Sequence, residues 1–250
     1  MTPTDDLSDT TTMVVGASRG LGRGIATAFA EAGAPVVAVA RTAAPLADPP
    51  GGGLIKPELA DAGDARVAAS LLDRYEPAAV ILVAGATPLM RPLQHQTWEA
   101  FSVNWHTDVR IAFHWLREAL LKPLRPGSRV IVISSGAAVQ GSPLSGGYAG
   151  AKATQRFITA YARDEASRAG LDITFTAVLP RITPLTDLGR PAVLAYAARN
   201  GQTEQGYLQQ FGEPLTPEVA GAALVELVRA DAATVNPGYL LTGTGLQELP

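Results

Sequence analysis

Three short runs in this chain are apolar at every position: VVAVA at Val36–Ala40, AVILVA at Ala79–Ala84 and VIVI at Val130–Ile133. A strand that alternates apolar and polar side chains can leave one face in water, whereas a strand with no polar face must be covered on both. Between such runs lie segments whose apolar residues recur at helical spacing. Leu21, Ile25, Phe29 and Ala32 form one set, Val67, Leu71 and Leu72 another, and Val219, Ala223, Leu224 and Leu227 a third. A longer helical pattern runs from Thr97 to Leu121 and another from Gly147 to Ala169. Further β-type runs at Thr12–Val15, Leu54–Lys56, Asp172–Leu179 and Tyr239–Thr242 complete the series. The alternation predicts an α/β fold, a doubly wound sheet of about seven parallel strands with helices on both faces.

With 250 residues, 47% of them hydrophobic, a single such domain over 12–250 accounts for the length. Residues 1–11, acidic and polar, read as a disordered tail with neither the basic nor the apolar part of a signal peptide. The breaker-rich stretch 43–53 reads as a connection within the domain, because the β/α rhythm resumes after it. That rhythm breaks again beyond residue 180, and 182–215 is expected to form a substrate lid. The net charge is −3 and lysines and arginines form no stripe, which argues against nucleic acid or an anionic membrane as partner. No apolar run approaches the roughly 18 residues of a membrane helix. The absence of Cys excludes disulfides, thiolate zinc sites and cysteine nucleophiles. A soluble cytoplasmic protein is the expectation.

The first strand runs directly into GASRGLG, residues 16–22, and then into a helix. With side chains missing at Gly16, Gly20 and Gly22, a pyrophosphate can approach backbone N–H groups at the positive end of that helix. Ser18, Arg19 and Leu21 share the loop. Arg41 follows the second strand, and no Asp or Glu occurs from Ala34 to Ala47. An acid there would suit a ribose 2′-hydroxyl, while an arginine suits a 2′-phosphate.

The fifth strand ends in Ser134 and Ser135, and Tyr148 and Lys152 follow at helical i,i+4 spacing. That spacing places phenol and ammonium one turn apart on one face. A free phenol titrates near pH ~10, and a fixed ammonium beside it favours the phenolate, which suits acid–base work. His95, His106 and His114 share no ligand spacing, and no G-x-S-x-G turn is present, so no metal site and no Ser/His/Asp hydrolase are expected.

From about Met13 to Leu246 these residues resemble the short-chain dehydrogenase/reductase family, in its single-domain, Rossmann-like form. The carriers are GASRGLG, Asn104, Ser134-Ser135, YAGAK at 148–152 and LPRITP at 179–184. The resemblance implies that Ser135 holds a substrate carbonyl and that Tyr148 is the acid and base. It implies that Lys152 binds the nicotinamide ribose and that Asn104 holds a relay water for Lys152. Arg19 and Arg41 resemble the basic pair of the NADP(H)-preferring branch. Ala84, Gly85, Pro180, Ile182 and Thr183 would line the cofactor, with Thr183 on the carboxamide, and Glu58 would stand near the adenine. Tyr196, Tyr207 and Phe211 are the aromatic residues of the lid. The implied activity is NADP(H)-dependent interconversion of a carbonyl and an alcohol on a small molecule, in a homodimer or homotetramer. The alternatives are a catalytically idle dinucleotide-binding sensor or scaffold, and an epimerase or C=C reductase using the same tyrosine. The chain departs from the family at Leu82-Val83-Ala84-Gly85, where Asn-Asn-Ala-Gly is usual, and at Arg181, where Gly is usual. The interval from Gly85 to Asn104 is also a few residues short.

Overall fold

The computed structural model describes residues 7–42 and 54–249; the 43–53 connection and residues 1–6 of the expected tail lie outside them. Eight strands form one sheet in the order β3-β2-β1-β4-β5-β6-β7-β8. They are β1 Thr12–Val15, β2 Val36–Ala40, β3 Ile55–Leu59, β4 Ala79–Leu82, β5 Ser128–Ile133, β6 Ile173–Pro180, β7 Gly238–Thr242 and β8 Gly245–Glu248. The first seven pair in parallel. The eighth, absent from the sequence reading, is antiparallel to β7. It returns through a tight turn with Gly245 at φ +102, and its polar GLQE carries no burial pattern that would mark it in advance.

The continuously apolar strands are covered on both sides, as their composition requires. On one face Val14, Ala38, Ile81 and Ile131 pack with Ile25 and Phe29 of α1 (Gly20–Glu31) and with Leu224 of α9 (Pro217–Arg229). On the other, Met13, Val15, Val37, Val39 and Val130 pack with α2 (Ala65–Tyr75), α4 (Arg110–Leu121) and α6 (Gly146–Arg168). Adjacent residues of β1 therefore serve opposite cores.

The chain crosses from one side of β1 to the other between β3 and β4. This puts the carboxyl ends of β1 and β4 side by side, the place where open α/β sheets bind ligands.

Three expectations need correction. Leu7 is buried and its N–H donates to Ala32 O, so the packed body begins at residue 7 and not at 12. The third strand extends to Leu59. The helix from Thr97 is interrupted: α3 (Trp98–Asn104) passes through a π-helical turn, Trp105–Val109, into α4.

Candidate active site

At the end of β1 the chain turns at Gly16, with φ +99. A Cβ there would lie 2.6 Å from Ala84 N, and a Cβ on Gly22 would lie 2.1 Å from Gly16 O. Only glycine lets the loop fold this closely against β4. Helix α1 then starts at Gly20 with no side-chain cap on its N-terminus, so its first N–H groups remain available to an anion.

Every residue expected at the site except Asn104 and Glu58 lines one cavity of about 760 Å³. Val83 and Ala84 each donate backbone N–H to Val15 O, so backbone bonds join the strands where the family uses side-chain amides. Arg41 is exposed on the cavity rim, and Arg19 forms a 3.5 Å exposed ion pair with Asp187. Glu58 is turned away: it accepts from Arg74 and from the Tyr75 hydroxyl. The carboxylate that does line the cavity on this side is Asp61, whose Oδ1 accepts from Gly63 N at 2.9 Å. The β-type run, read three residues too short, hid that Asp61 and not Glu58 follows the strand end.

At the tip of β5, Ser134 Oγ donates to Lys152 O at 2.7 Å and ties the strand to α6. Ser135 Oγ accepts from Ala137 N at 3.2 Å, which leaves its own O–H directed elsewhere. Tyr148 stands half-exposed in the cavity, and Lys152 Nζ lies 5.5 Å from its ring centroid.

The resemblance gives Asn104 a relay water for Lys152; among the described residues its side chain is hydrogen-bonded to Ala86 and Asp108, with Nδ2 donating to Ala86 O at 2.7 Å and to the Asp108 carboxylate. Asp108, on the cavity wall, is the residue that meets Lys152, with Oδ2 3.2 Å from Nζ. The extra residue per turn in the π-helical segment rotates Asp108 to this position, and such turns recur at functional sites. The short Gly85-to-Asn104 interval was the one sequence sign of it.

The segment expected as a lid is helical: α7 (Gly189–Arg199) and α8 (Glu204–Leu208). It has a small core of its own in Val193, Ala197 and Tyr207. Tyr196 stacks on Tyr207 at 5.9 Å, and Tyr207 meets Phe211 edge-on at 5.2 Å. Burial, and then the neighbouring Tyr196, push the Tyr207 phenol above its ordinary value. The Tyr196 hydroxyl is hydrogen-bonded to Ser142 Oγ in the loop before α6, which joins α7 to the approach to that helix. Thr183 is buried at the lid's root, its Oγ1 3.0 Å from Thr186 Oγ1.

The profile of the short chain dehydrogenase family matches residues 10–196. No curated protein matches the chain. Among solved structures, a short chain dehydrogenase from Mycobacterium avium superposes with a TM-score of 0.75 at 23% identity, covering 95% of this chain and 84% of that one. A dehydrogenase/reductase from Sinorhizobium meliloti 1021 gives 0.77 at 23% identity, covering 94% and 93%. A 3-oxoacyl-[acyl-carrier protein] reductase from Brucella melitensis, in complex with NAD, gives 0.76 at 21% identity, covering 94% and 96%. At these identities the likeness concerns the fold.

Proposed function

The chain belongs to the short chain dehydrogenase family, and on that premise we propose that it is an NADP(H)-dependent oxidoreductase interconverting a carbonyl and an alcohol on a small molecule. The observation that carries this reading is that Tyr148 and Ser135 open onto the same cavity as the uncapped N-terminus of α1.

The residues present fit a dinucleotide. A Cβ at Gly16 or Gly22 would strike backbone, so these glycines let the turn close tightly, and the helix behind it presents uncapped N–H groups to a pyrophosphate. Ala84, Gly85, Pro180, Ile182 and Thr183 would line the nicotinamide half, and Lys152 would take the ribose. Arg19 and Arg41 at the rim support a 2′-phosphate, because a guanidinium pairs with phosphate through short charge-assisted bonds. One structural neighbour is named a 3-oxoacyl-[acyl-carrier protein] reductase, in keeping with carbonyl reduction. Its complex with NAD leaves the preference for NADP(H) resting on the two arginines.

When bound, the nicotinamide supplies or accepts the hydride. The chain's own residues hold the oxygen and move its proton. Ser135 Oγ already accepts from Ala137 N, and its O–H is left to donate to a substrate oxygen. Tyr148 gives that oxygen its proton in reduction and removes it in oxidation. The Tyr196–Tyr207–Phe211 wall excludes water from the reacting atoms and favours an apolar body on the substrate.

Self-association into a dimer or tetramer is read from the exposed aromatic side chains Trp105 of the π-helical turn, Phe113 of α4, and Phe157 and Tyr161 of α6, segments that pack together.

The test is a panel of aldehydes and ketones assayed by loss of NADPH absorbance. Tyr148→Phe is expected to lower kcat by on the order of a hundredfold or more while leaving the fold and NADPH binding intact. Wild-type turnover in that variant would end the proposal.

A further inference from the structure

Three protein acceptors surround the Lys152 ammonium: Asp108 Oδ2 at 3.2 Å, Gln155 Oε1 at 2.9 Å and Ile133 O at 3.2 Å. An ammonium has three donors, so each has a partner within the protein. The two charged side chains are almost completely withdrawn from water, Lys152 at 5% exposure and Asp108 at 1%. Asp108 is itself fixed from behind. Its Oδ1 accepts from Ala86 N at 2.8 Å, and Asn104 Nδ2 donates to both carboxylate oxygens. Gln155 Nε2 donates to Asp108 O at 2.9 Å, which closes a ring through Lys152, Asp108 and Gln155.

The surroundings are shaped to this carboxylate. A Cβ on Gly85, three residues beyond the end of β4, would lie 2.7 Å from Asp108 Oδ2, so the glycine leaves the carboxylate its room. The π-helical turn packs on α6 and carries Asp108 there. A neutral side chain could satisfy Ala86 N equally well, so the negative charge answers to Lys152. Burying a lone ammonium here would be costly, and a paired one is tolerated only with its hydrogen bonds complete.

We infer that Asp108, together with Gln155, is a positioning residue for Lys152. The carboxylate supplies the buried ammonium with its counter-charge and holds it beneath Tyr148. A bound ribose hydroxyl would then exchange with a neutral acceptor, Gln155 or Ile133, and leave the ion pair in place. This rests on the reading of Lys152 as the partner of Tyr148 and of the ribose.

The test is a cycle of Asp108→Asn, Lys152→Met and the double variant, followed by thermal unfolding and by fluorescence titration with NADPH. Lys152→Met is expected to lower Tm by roughly 10 °C, because it leaves a buried carboxylate without a counter-charge. The double variant is expected to regain most of that loss. Should Lys152→Met fail to fold, folding of the double variant makes the same point. Asp108→Asn should weaken NADPH binding about tenfold when Lys152 is present and less than twofold when it is Met, the mark of a residue acting through another. Equal weakening in both backgrounds, or a double variant no more stable than Lys152→Met, overturns the inference. Neither readout needs a substrate, so an empty carbonyl screen bears on the proposed activity and a failed cycle on Asp108. Absence of NADPH binding in the wild type would sink the function reading and, with it, the positioning role, whatever the Tm cycle shows of the ion pair.

Discussion

Trp115 links the core of the protein to the wall of its cavity, and replacing it by Phe separates the two contributions. The indole is 1% exposed on α4 and packs among the residues beneath the sheet. Its Nε1 donates to Ala62 O at 3.0 Å, and Ala62 with Asp61 forms the turn after β3 that lines the cavity. Trp115→Phe keeps an aromatic ring in place but removes the hydrogen bond, a loss of about 1 kcal/mol. The missing indole atoms and the void they leave add about 2 kcal/mol. The sum, about 3 kcal/mol, corresponds at this chain length to a Tm lower by roughly 9 °C. The KM for NADP(H) should rise a few-fold because the Asp61–Ala62 turn loses its tether, while kcat stays near the wild-type value. Trp98→Phe is the control: that side chain is 71% exposed, and its loss should shift Tm by less than roughly 2 °C. Calorimetry on the two variants decides the matter. If Trp115→Phe melts within about 2 °C of the wild type, the indole neither fills the core nor holds the turn as argued.

Arg41→Asp should move cofactor preference from NADP(H) toward NAD(H), read as the ratio of kcat/KM for the two; a wild type that used NADH as well as NADPH would refute the role given to Arg41. Gly22→Ala places a Cβ 2.1 Å from Gly16 O and should cost about 2 kcal/mol of stability and at least about tenfold in dinucleotide affinity, measured by melting and titration. Tyr207 titrates above its unfolded value, so its contribution is fully present below the unfolded pKa near pH ~10 and is lost as pH rises through the folded one. Protection across 189–211, measured relative to base-catalysed intrinsic exchange, should therefore fall as pH rises through the folded pKa in the wild type, and Tyr207→Phe should remove that fall. Identical profiles for both proteins would contradict it.

How much of this was legible beforehand follows from the range of each interaction. A strand buried on both faces, a helix with one apolar stripe and a turn that admits only glycine are each decided within a few residues. Val36–Ala40, the α1 stripe and Gly16–Gly22 therefore stood in the sequence as plainly as in the structure. Tyr148 and Lys152 were equally legible, because the helical repeat alone puts them one turn apart. Tertiary structure decided what meets them. Asp108 reaches Lys152 because of a π-helical turn that no periodicity announces, and Asn104, the nearer match to a known pattern, ends up behind it. Asp61 replaces Glu58 at the cavity because the strand runs to Leu59, an extent set by pairing with β2 and not by the mixed sequence IKPEL. The helices α7 and α8 and the antiparallel β8 belong to the same class: their own patterns are weak, and they form through contacts made only in the folded chain, the helices around a small core of their own and β8 along β7.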